Sequence, residues 1–341
     1  MIKQDTSTRL SRRGVLGASI ALGLAAPLPL RAQPKYALKY ATNVVSDNPL
    51  NVRLAEAFAR IKKESDGAVA IELFANGQLG SDPDMLSQLR SGALDMMTLS
   101  SVILSTLVPS CAIVGVGFAF PSYDAIWSAM DGDLGTRLRG DIAKAGIFAQ
   151  PKIWDLSFKE LTSSNRPIRT PDDLKGFKLR VPPGALWTSL FRAFDAGPTT
   201  VNMNEVYTAL QTKIVDGTEL PLTTFYFAKL YEVQKYISLT RHMWDGWWSL
   251  ASRPVWEGLP GDVQAVISKN LDQSALDHRA DIVRIEASLV KELSDKGMEI
   301  SEVDRKPFRA KLEATGFYKE WKGRFGPQLW GIMEKYTGPI G

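Results

Sequence analysis

The alternation of apolar and polar positions predicts a regular succession of strands and helices near the start of the chain. Residues 36–42 and 69–74 alternate as strands do, and residues 95–99 form a third predicted strand. Residues 51–65, and a segment that begins near Ser81, carry apolar side chains at the spacing of an amphipathic helix. This order of strand, helix, strand, helix and strand is typical of a largely parallel sheet, so the pattern predicts an α/β fold.

Farther along the chain, the pattern predicts a second group of elements and one long helix. The second group comprises a helix over 121–139, strands over 147–154 and 177–181, a helix over 185–194, a strand over 199–201, a helix capped by Asn204 with Val206, Leu210 and, as a further candidate, Ile214 on its buried face, strands over 235–239 and 247–251, and an amphipathic C-terminal helix. Residues 262–296 contain neither glycine nor proline and would form a helix of roughly 50 Å. Such a helix is longer than one lobe, so it is expected to span two, with 154–162 and 242–246 as candidate crossings.

The first 32 residues form a predicted export signal rather than part of the fold. Arg12 and Arg13 lie directly before an apolar, acid-free run over 15–30, and a small-residue cleavage position follows Ala32. The pattern predicts a twin-arginine signal peptide and a periplasmic protein, with the general secretory route as the alternative. Five basic residues and one acidic residue of this segment account for the net charge of +4. The remaining chain is formally neutral, so its charge does not favour a nucleic-acid or membrane-surface partner.

The residue types that carry enzyme chemistry are sparse and scattered. His242 and His278 are the only histidines and Cys111 is the only cysteine, so no paired spacing of such metal ligands exists. Gly115 and Gly117 resemble part of a dinucleotide fingerprint but lack the third glycine, and no GxSxG sequence is present. We therefore expect no metal, no cofactor and no enzymatic activity.

The segment over 177–184 offers the clearest candidate for ligand binding. Its apolar residues alternate, which places Arg180 on the opposite face of a strand, at the strand's C-terminal end. Pro182 and Pro183 then force a turn, and ligands of open α/β sheets bind beyond such strand ends. A guanidinium there matches a carboxylate bidentately. The alternative is an arginine that extends from an edge strand to solvent, and the local pattern by itself favours this second interpretation.

Several motifs resemble those of the solute-binding proteins of tripartite ATP-independent periplasmic (TRAP) transporters, the DctP-like family. They occur in the family's order at residues 77–80 (GQLG), 89–95 (LRSGALD), 163–168 (SSNRPI), 171–182 (PDDLKGFKLRVP), 205–212 (EVYTALQT) and 215–219 (VDGTE). The resemblance covers residues 35–335 and implies a two-lobed periplasmic binding protein fold with a long helix spanning both lobes. We expect the N-terminal lobe to hold 33–157 and about 246–285, and the C-terminal lobe 158–245 and about 286–341.

The resemblance also implies which residues line the cleft between the lobes. Arg180 stands at the family's carboxylate-binding arginine, which reverses the interpretation from local pattern. The other expected ligand-binding residues are Asn43, Asp82, Ser100, Trp187, Met203, Leu220 and Trp247. Many relatives carry a second arginine shortly before the segment 163–168. This sequence has Lys159 there if a one-residue gap is allowed, or Glu160 if not, and Trp187 and Trp244 fit the protein core equally well.

The function implied by the resemblance is that of a non-enzymatic receptor. Such a protein binds a small organic acid and delivers it to TRAP membrane permease subunits, where an ion gradient rather than ATP drives uptake. Leu220 stands where relatives that bind sugar acids often have an amide, so we expect an apolar or aromatic monocarboxylate. Two alternatives stay open: a periplasmic enzyme with a bound cofactor, and a receptor that feeds a sensor kinase. A monomer is expected, and the long helix and aromatic C-terminus leave a dimer open.

Overall fold

The computed structural model describes residues 33–341, and the predicted signal segment over 1–32 lies outside them. The strands are β1 (Tyr36–Ala41), β2 (Val69–Phe74), β3 (Met96–Ser100), β4 (Ile147–Ala149), β5 (Trp154–Ser163), β6 (Lys178–Val181), β7 (Gly197–Thr200), β8 (Gly217–Leu220), β9 (Tyr236–Ser252) and β10 (Glu299–Glu302). The α-helices are α1 (Pro49–Glu64), α2 (Asp82–Ser91), α3 (Ser101–Leu104), α4 (Tyr123–Met130), α5 (Asp133–Lys144), α6 (Ala185–Arg192), α7 (Val206–Gln211), α8 (Leu222–Phe227), α9 (Arg253–Glu257), α10 (Gly261–Asp295), α11 (Lys306–Ala314) and α12 (Phe317–Thr337).

The strands join into one sheet that has a parallel group on each side of an antiparallel centre. Over residues 33–341 the strand order is β2-β1-β3-β9-β5-β8-β6-β7, and β4 and β10 also pair with β9. Strand β1 runs parallel to β2 and β3, and β6 runs parallel to β7 and β8. The long strands β5 and β9 pair antiparallel and connect the two groups. Parallel strands need crossover connections, so these two groups confirm the predicted α/β class.

Capping residues set the start of α1 and both ends of α2, the two helices of the first parallel group. The Asn48 side chain accepts a hydrogen bond from the Leu50 N–H at the start of α1. At the start of α2, Ser81 and Asp84 form a capping box, and Gly92 ends the helix in the left-handed conformation with φ 78°. These caps satisfy backbone groups that the helices leave unpaired. The predicted order of three strands and two helices is confirmed.

Both predicted crossings between lobes are continuous strands. The predicted strands over 235–239 and 247–251 are parts of the single strand β9, which runs uninterrupted through 242–246. The stretch 154–162 lies within β5. Most residues of both strands are buried. A strand covered on both faces has no alternation of apolar and polar positions. The sequence pattern therefore did not show the full length of β5 and β9.

Glycine and proline account for two further differences. The predicted helix over 121–139 is divided into α4 and α5 at Gly132, where a side chain would come within 2.5 Å of the Ser128 carbonyl oxygen. The predicted strand over 147–154 ends with β4, and β5 begins only after Pro151. Proline lacks the N–H that a sheet ladder requires, which explains this interruption.

Three predictions around Arg180 and α7 are corrected by the structure. Asn204 lies in a 3-10 turn over Met203–Glu205 and does not cap α7, whose N-cap is Glu205. Ile214 is exposed rather than buried. Strand β6, which carries Arg180, lies between β7 and β8 and is not an edge strand. The edge-strand interpretation of Arg180 is therefore wrong. The short helices α3, α8 and α9 and strand β10 were not predicted.

Helix α10 confirms the predicted long helix. It contacts α1, where Arg53 Nε lies 2.6 Å from the Asp281 carboxylate. Farther along the helix, Glu286 accepts hydrogen bonds from the N–H and the hydroxyl of Thr223 in α8, at 3.1 and 2.9 Å. Because α1 belongs to the first parallel group and α8 follows β8 of the second, α10 spans both lobes. Within the described residues, no helix combines the length and the apolar character needed to cross a membrane.

Candidate ligand-binding site

One cavity gathers the residues that the sequence singled out. The nine predicted ligand-binding residues all line it, namely Asn43, Asp82, Ser100, Lys159, Arg180, Trp187, Met203, Leu220 and Trp247. The lining also includes Val44, Ile103, Leu156, Pro182 and Thr224. The space free of atoms is about 380 Å³, including the part open to solvent. We call this space the central cavity.

Most residues that line the central cavity lie at or near the ends of strands. Asn43 follows the end of β1, Arg180 lies next to the end of β6, and Leu220 ends β8. The carboxyl ends of parallel strands are where open α/β sheets bind ligands. Lys159 and Trp247 come from the two long strands β5 and β9. The cavity therefore lies where the two parallel groups and the central strands meet.

The Arg180 guanidinium is buried, and part of its hydrogen-bonding capacity is unused. Arg180 is 1% exposed, and its Nε donates to the Val201 carbonyl oxygen at 2.9 Å. Its Nη1 is buried and has no hydrogen-bond partner. Burial lowers the pKa of Arg180 to about 10, against the charges of Glu219 and Asp82, which raise it. The group is thus still a cation at neutral pH, with N–H donors to offer an anion.

Asp82 adds an acceptor to the same cavity. Its Oδ2 accepts a hydrogen bond from Asn43 Nδ2 at 2.9 Å, and its Oδ1 is buried without a partner. Burial raises the pKa of Asp82 to about 6, although the Asn43 hydrogen bond and the Arg180 charge act to lower it. A ligand that carries both a carboxylate and a hydroxyl or other donor matches this pair of groups.

Lys159 places a second cation in the lining. Its Nζ lies 4.0 Å from Glu219 Oε2 and 5.1 Å from the centre of a Trp187 ring. His242 Nε2 lies 3.6 Å from the same Glu219 oxygen. Burial lowers the pKa of His242, although Glu219 acts to raise it. Glu160, the other residue considered for this position, does not line the cavity, and its carboxylate accepts a backbone N–H at 2.8 Å.

Ser100 is fixed by a buried carboxylate behind the cavity. Its hydroxyl donates to Asp245 Oδ2, and its oxygen accepts the Ile103 N–H at 3.3 Å at the start of α3. Burial raises the pKa of Asp245 to about 6, against the charge of Lys159 and the Ser100 hydrogen bond. Ser100 is therefore held in one orientation, while Asp245 itself does not reach the lining.

The three tryptophans considered for the cleft separate into two groups. Trp187 and Trp247 line the central cavity, and the buried Nε1 of Trp187 has no hydrogen-bond partner. Trp244 belongs to the core, where its Nε1 donates to Asp155 Oδ1 at 2.9 Å. Both lining rings are almost fully buried, so they form walls of the cavity rather than its solvent-facing rim.

Five lining residues were missed by the sequence predictions. Val44 directly follows Asn43, and Ile103 lies one helical turn after Ser100, so neighbours of predicted residues could have indicated them. Thr224 lies on α8, which was not predicted, and its buried Oγ1 has no partner. Most of the missed positions are apolar, which gives the cavity apolar walls around a few polar groups.

The arrangement suits anion binding. Arg180 and Lys159 are both buried cations, and the lining also contains apolar side chains such as Leu156. Over residues 33–341, no three histidine, cysteine or acidic side chains are grouped as metal ligands would be. A planar guanidinium with unused donors can hold a carboxylate by two parallel hydrogen bonds.

Two parallel groups joined by long central strands, with a cavity at the strand ends and a helix across both halves, define a two-lobed periplasmic binding protein. The sequence model of the family described as "Bacterial extracellular solute-binding protein, family 7" (DctP) matches residues 41–321. The chain belongs to this family, as its motifs predicted.

Individual relatives agree with this assignment. The C4-dicarboxylate-binding periplasmic protein DctP of Rhodobacter capsulatus is 32% identical over 268 residues, covering 78% of this chain and 80% of that protein. The y4mM protein of Sinorhizobium fredii is 33% identical over 90% of this chain, but the match spans only 57% of that protein's length. A crystal structure of a TRAP periplasmic solute-binding protein from Bordetella bronchiseptica, with density assigned as pantoate, has a TM-score of 0.84 at 29% identity and covers 90% of this chain and 100% of its own.

Proposed function

We propose that this protein is a periplasmic receptor that binds a small organic acid through Arg180 and delivers it to a TRAP-type permease. The observation that carries the proposal is the buried Arg180, whose Nη1 has no partner although the residue lines a cavity. A ligand carboxylate would accept the unused N–H groups, and the attraction strengthens as closure excludes water. The R. capsulatus relative is named for binding C4-dicarboxylates, and the B. bronchiseptica structure carries density assigned as pantoate; both are organic acids.

The favoured ligand class is an apolar or aromatic monocarboxylate. Leu156, Leu220 and Trp247 are apolar members of the lining, and Trp187 adds a second aromatic wall. Lys159 Nζ already lies 4.0 Å from Glu219 Oε2, so Arg180 is the cation better placed to bind a ligand carboxylate. Burying apolar ligand surface against these walls stabilises the complex.

The lobe boundaries and the export route belong to the same proposal. With 33–157 and about 246–285 in one lobe, and 158–245 and about 286–341 in the other, each lobe supplies half of the lining residues. Ligand would then favour the closed arrangement, because it contacts both lobes only there. Export would use the twin-arginine signal within the first 32 residues. The receptor would act as a monomer and without catalysis.

Thermal unfolding of residues 33–341 against a panel of acids tests the proposal. The panel contains sugar acids, keto and hydroxy acids, dicarboxylates, and apolar and aromatic monocarboxylates. A ligand that binds only the folded state adds about 2.7 kcal/mol of stability at a hundredfold excess over its dissociation constant, so the unfolding temperature rises measurably. We expect the largest rise with an apolar or aromatic monocarboxylate, and no rise in Arg180→Ala.

A matched arginine variant separates ligand binding from a general charge effect. Arg169 is exposed and lies outside the central cavity, so Arg169→Ala should respond to ligand as the parent protein does. Normal binding by Arg180→Ala would contradict the central claim. Tight binding of a polyhydroxylated sugar acid, with none of apolar acids, would contradict the ligand class only. Uptake of the identified acid into vesicles that contain the TRAP permease, dependent on this receptor, tests delivery.

A further inference from the structure

A second compartment adjoins the central cavity and has a different chemistry. The two spaces share Asn43, Val44, Met203 and Thr224 in their linings. The second one encloses about 500 Å³ free of atoms, including its opening to solvent. Three further asparagines line it, namely Asn48, Asn76 and Asn204. We call it the amide compartment.

Two residues that line the amide compartment each carry a buried polar atom without a hydrogen-bond partner. Asn48 is 1% exposed, and its Oδ1 accepts the Leu50 N–H at 3.0 Å. This helix cap fixes the orientation of the amide, and Nδ2 is left buried and unpartnered. Thr224 is 5% exposed, and its Oγ1 is likewise buried and unpartnered. Buried polar groups are nearly always paired, so these two atoms indicate a group that arrives from outside the chain.

The chemistry of these atoms restricts what that group is. The amide Nδ2 of Asn48 can only donate, so its partner has to be an acceptor. None of the residues that line the amide compartment carries a charge. A second carboxylate would therefore be buried without a cation, which is costly, whereas a neutral oxygen would not. The residues shared by both spaces include Val44 and Met203, which suit an apolar stretch of ligand between the two ends.

We propose that the ligand carries, at the end remote from its carboxylate, a neutral hydrogen-bond acceptor such as a carbonyl, which Asn48 and Thr224 bind in the amide compartment. This inference rests on the proposed function, because Arg180 has to hold the carboxylate in the central cavity. It narrows the ligand to a monocarboxylate with an apolar middle and a neutral polar end.

Calorimetric titration with matched acids tests the proposal. The parent probes are pentanoate, hexanoate and heptanoate. A second series carries a keto group on the carbon next to the methyl end of each acid. A third series consists of the dicarboxylates of equal chain length. We expect the keto group to improve the affinity about tenfold at the length that reaches the amide compartment. We expect the second carboxylate to bring no such gain. The inference would be overturned if, at every chain length, the dicarboxylate bound more tightly than the keto acid of the same length.

Two conservative variants assign the gain to the two residues. Thr224→Val removes the hydroxyl and keeps the shape, and Asn48→Ser keeps an oxygen for the helix cap while removing the amide N–H. Each should abolish the gain from the keto group, and Asn48→Ser, at a residue that lines the amide compartment but not the central cavity, should leave the affinity for the parent acid unchanged. Thr208→Val, at an exposed position of α7 outside both spaces, should retain the gain.

The outcomes separate this inference from the proposed function. If the acids bind in an Arg180-dependent manner but the keto group brings no gain, or the gain survives in both variants, the inference is wrong and the receptor function stands. If no acid binds in the titrations or in the unfolding panel, the proposed function fails and the inference fails with it.

Discussion

Two buried arginines of this chain, Arg180 in the central cavity and Arg279 in α10, differ in how completely they are paired. Arg279 Nε and Nη2 donate to the Ile153 carbonyl oxygen at 3.0 and 2.8 Å. Its Nη1 and Nη2 also bind the two carboxylate oxygens of Asp131 at 2.8 and 3.2 Å. Its guanidinium carbon lies 4.0 Å from the centre of the Trp127 ring. Arg180, by contrast, makes one hydrogen bond, to Val201.

The acids beside the two arginines respond in opposite directions. Burial acts to raise the pKa of Asp131, but the hydrogen bond and charge of Arg279, with those of Lys152, outweigh it and lower the pKa. Burial raises the pKa of Asp82 to about 6, because the Asn43 hydrogen bond and the charge of Arg180 only partly offset it. The comparison shows that burial of an arginine does not by itself reveal its role. What distinguishes a structural arginine from a ligand-binding one is how many of its donors the protein already satisfies.

The largest expected effect is the loss of ligand affinity in Arg180→Met. Removing the cation leaves the ligand carboxylate buried without its partner, which costs roughly 3 to 5 kcal/mol, or a hundredfold to several thousandfold in affinity. The unfolding temperature without ligand should change little, because Arg180 makes one hydrogen bond, to the Val201 carbonyl oxygen. Titration calorimetry and thermal unfolding of the same preparation measure both quantities. A large loss of stability with intact binding would reverse the roles assigned to the two arginines.

Arg279→Met should show the opposite behaviour. Breaking a buried ion pair costs about 3 to 5 kcal/mol, but the Asp131 side chain is 29% exposed and also lies 3.2 Å from Lys152 Nζ. We therefore expect a loss nearer 2 kcal/mol, which for a chain of this length corresponds to a fall of roughly 3 °C in unfolding temperature. Ligand affinity of the folded variant should stay within about twofold of the parent, since Arg279 lies outside the central cavity. Unchanged stability would show that the pairing of Arg279 contributes nothing.

Sequence reasoning could find Arg180 but not the feature that sets it apart from Arg279. The alternation around 177–181 and the turn at Pro182 indicate a strand end, and the family motifs indicate the other lining residues. The pairing of each guanidinium depends on groups far away in the chain, such as Ile153 and Asp131 for Arg279. No local pattern reports those distances, so the two arginines look alike in the sequence.

The sequence predicts the fold correctly where an element shows a single apolar periodicity and where capping or turn residues mark its ends. The first parallel group follows alternation, helical spacing and capping residues such as Asn48 and Ser81. The central strand β9 was split by the prediction, because a strand buried on both faces shows no alternation and its middle includes Asp245 and Gly246. Thr224 and the amide compartment were missed for a related reason, since α8 is a six-residue helix too short to show a period.

A smaller effect is expected from the pH dependence of ligand affinity. Ionised Asp82 repels a carboxylate at Arg180, so affinity should fall as the pH rises through the Asp82 pKa of about 6. We expect a decrease of about threefold to tenfold between about pH 5 and pH 8, measured by calorimetry at constant ionic strength. Asp82→Asn should remove most of this decrease, and Asp245, whose pKa is also raised to about 6 by burial, accounts for the rest. An affinity that rises with pH would contradict the placement of the carboxylate beside Asp82.

Asp82 and Asp131, the acids beside the two arginines, should shift the free energy of unfolding in opposite directions as the pH changes. Asp82 has a raised pKa in the folded protein, so its contribution to stability is present below about pH 4 and is lost as the pH rises through about 6. Asp131 has a lowered pKa, so its contribution is present above about pH 4 and is lost as the pH falls farther. In ligand-free protein, Asp82→Asn should therefore flatten the fall in stability between about pH 4 and pH 7. Urea unfolding of both proteins across this range measures the difference, and parallel curves would contradict a raised pKa for Asp82.

The smallest effect is expected from an exposed arginine whose ion pair is shorter than that of Arg279. Arg253 Nε lies 2.6 Å from Glu257 Oε1, four residues along α9, and both side chains are more than half exposed. Water and salt screen such a pair, so Arg253→Gln should cost only about 0.3 to 0.5 kcal/mol and less than about 1 °C in unfolding temperature. Raising the salt concentration should reduce this cost further, whereas the cost of Arg279→Met should change little because that cation is buried. If Arg253→Gln destabilised the protein as much as Arg279→Met, distance rather than burial and full pairing would decide the contribution of an arginine here.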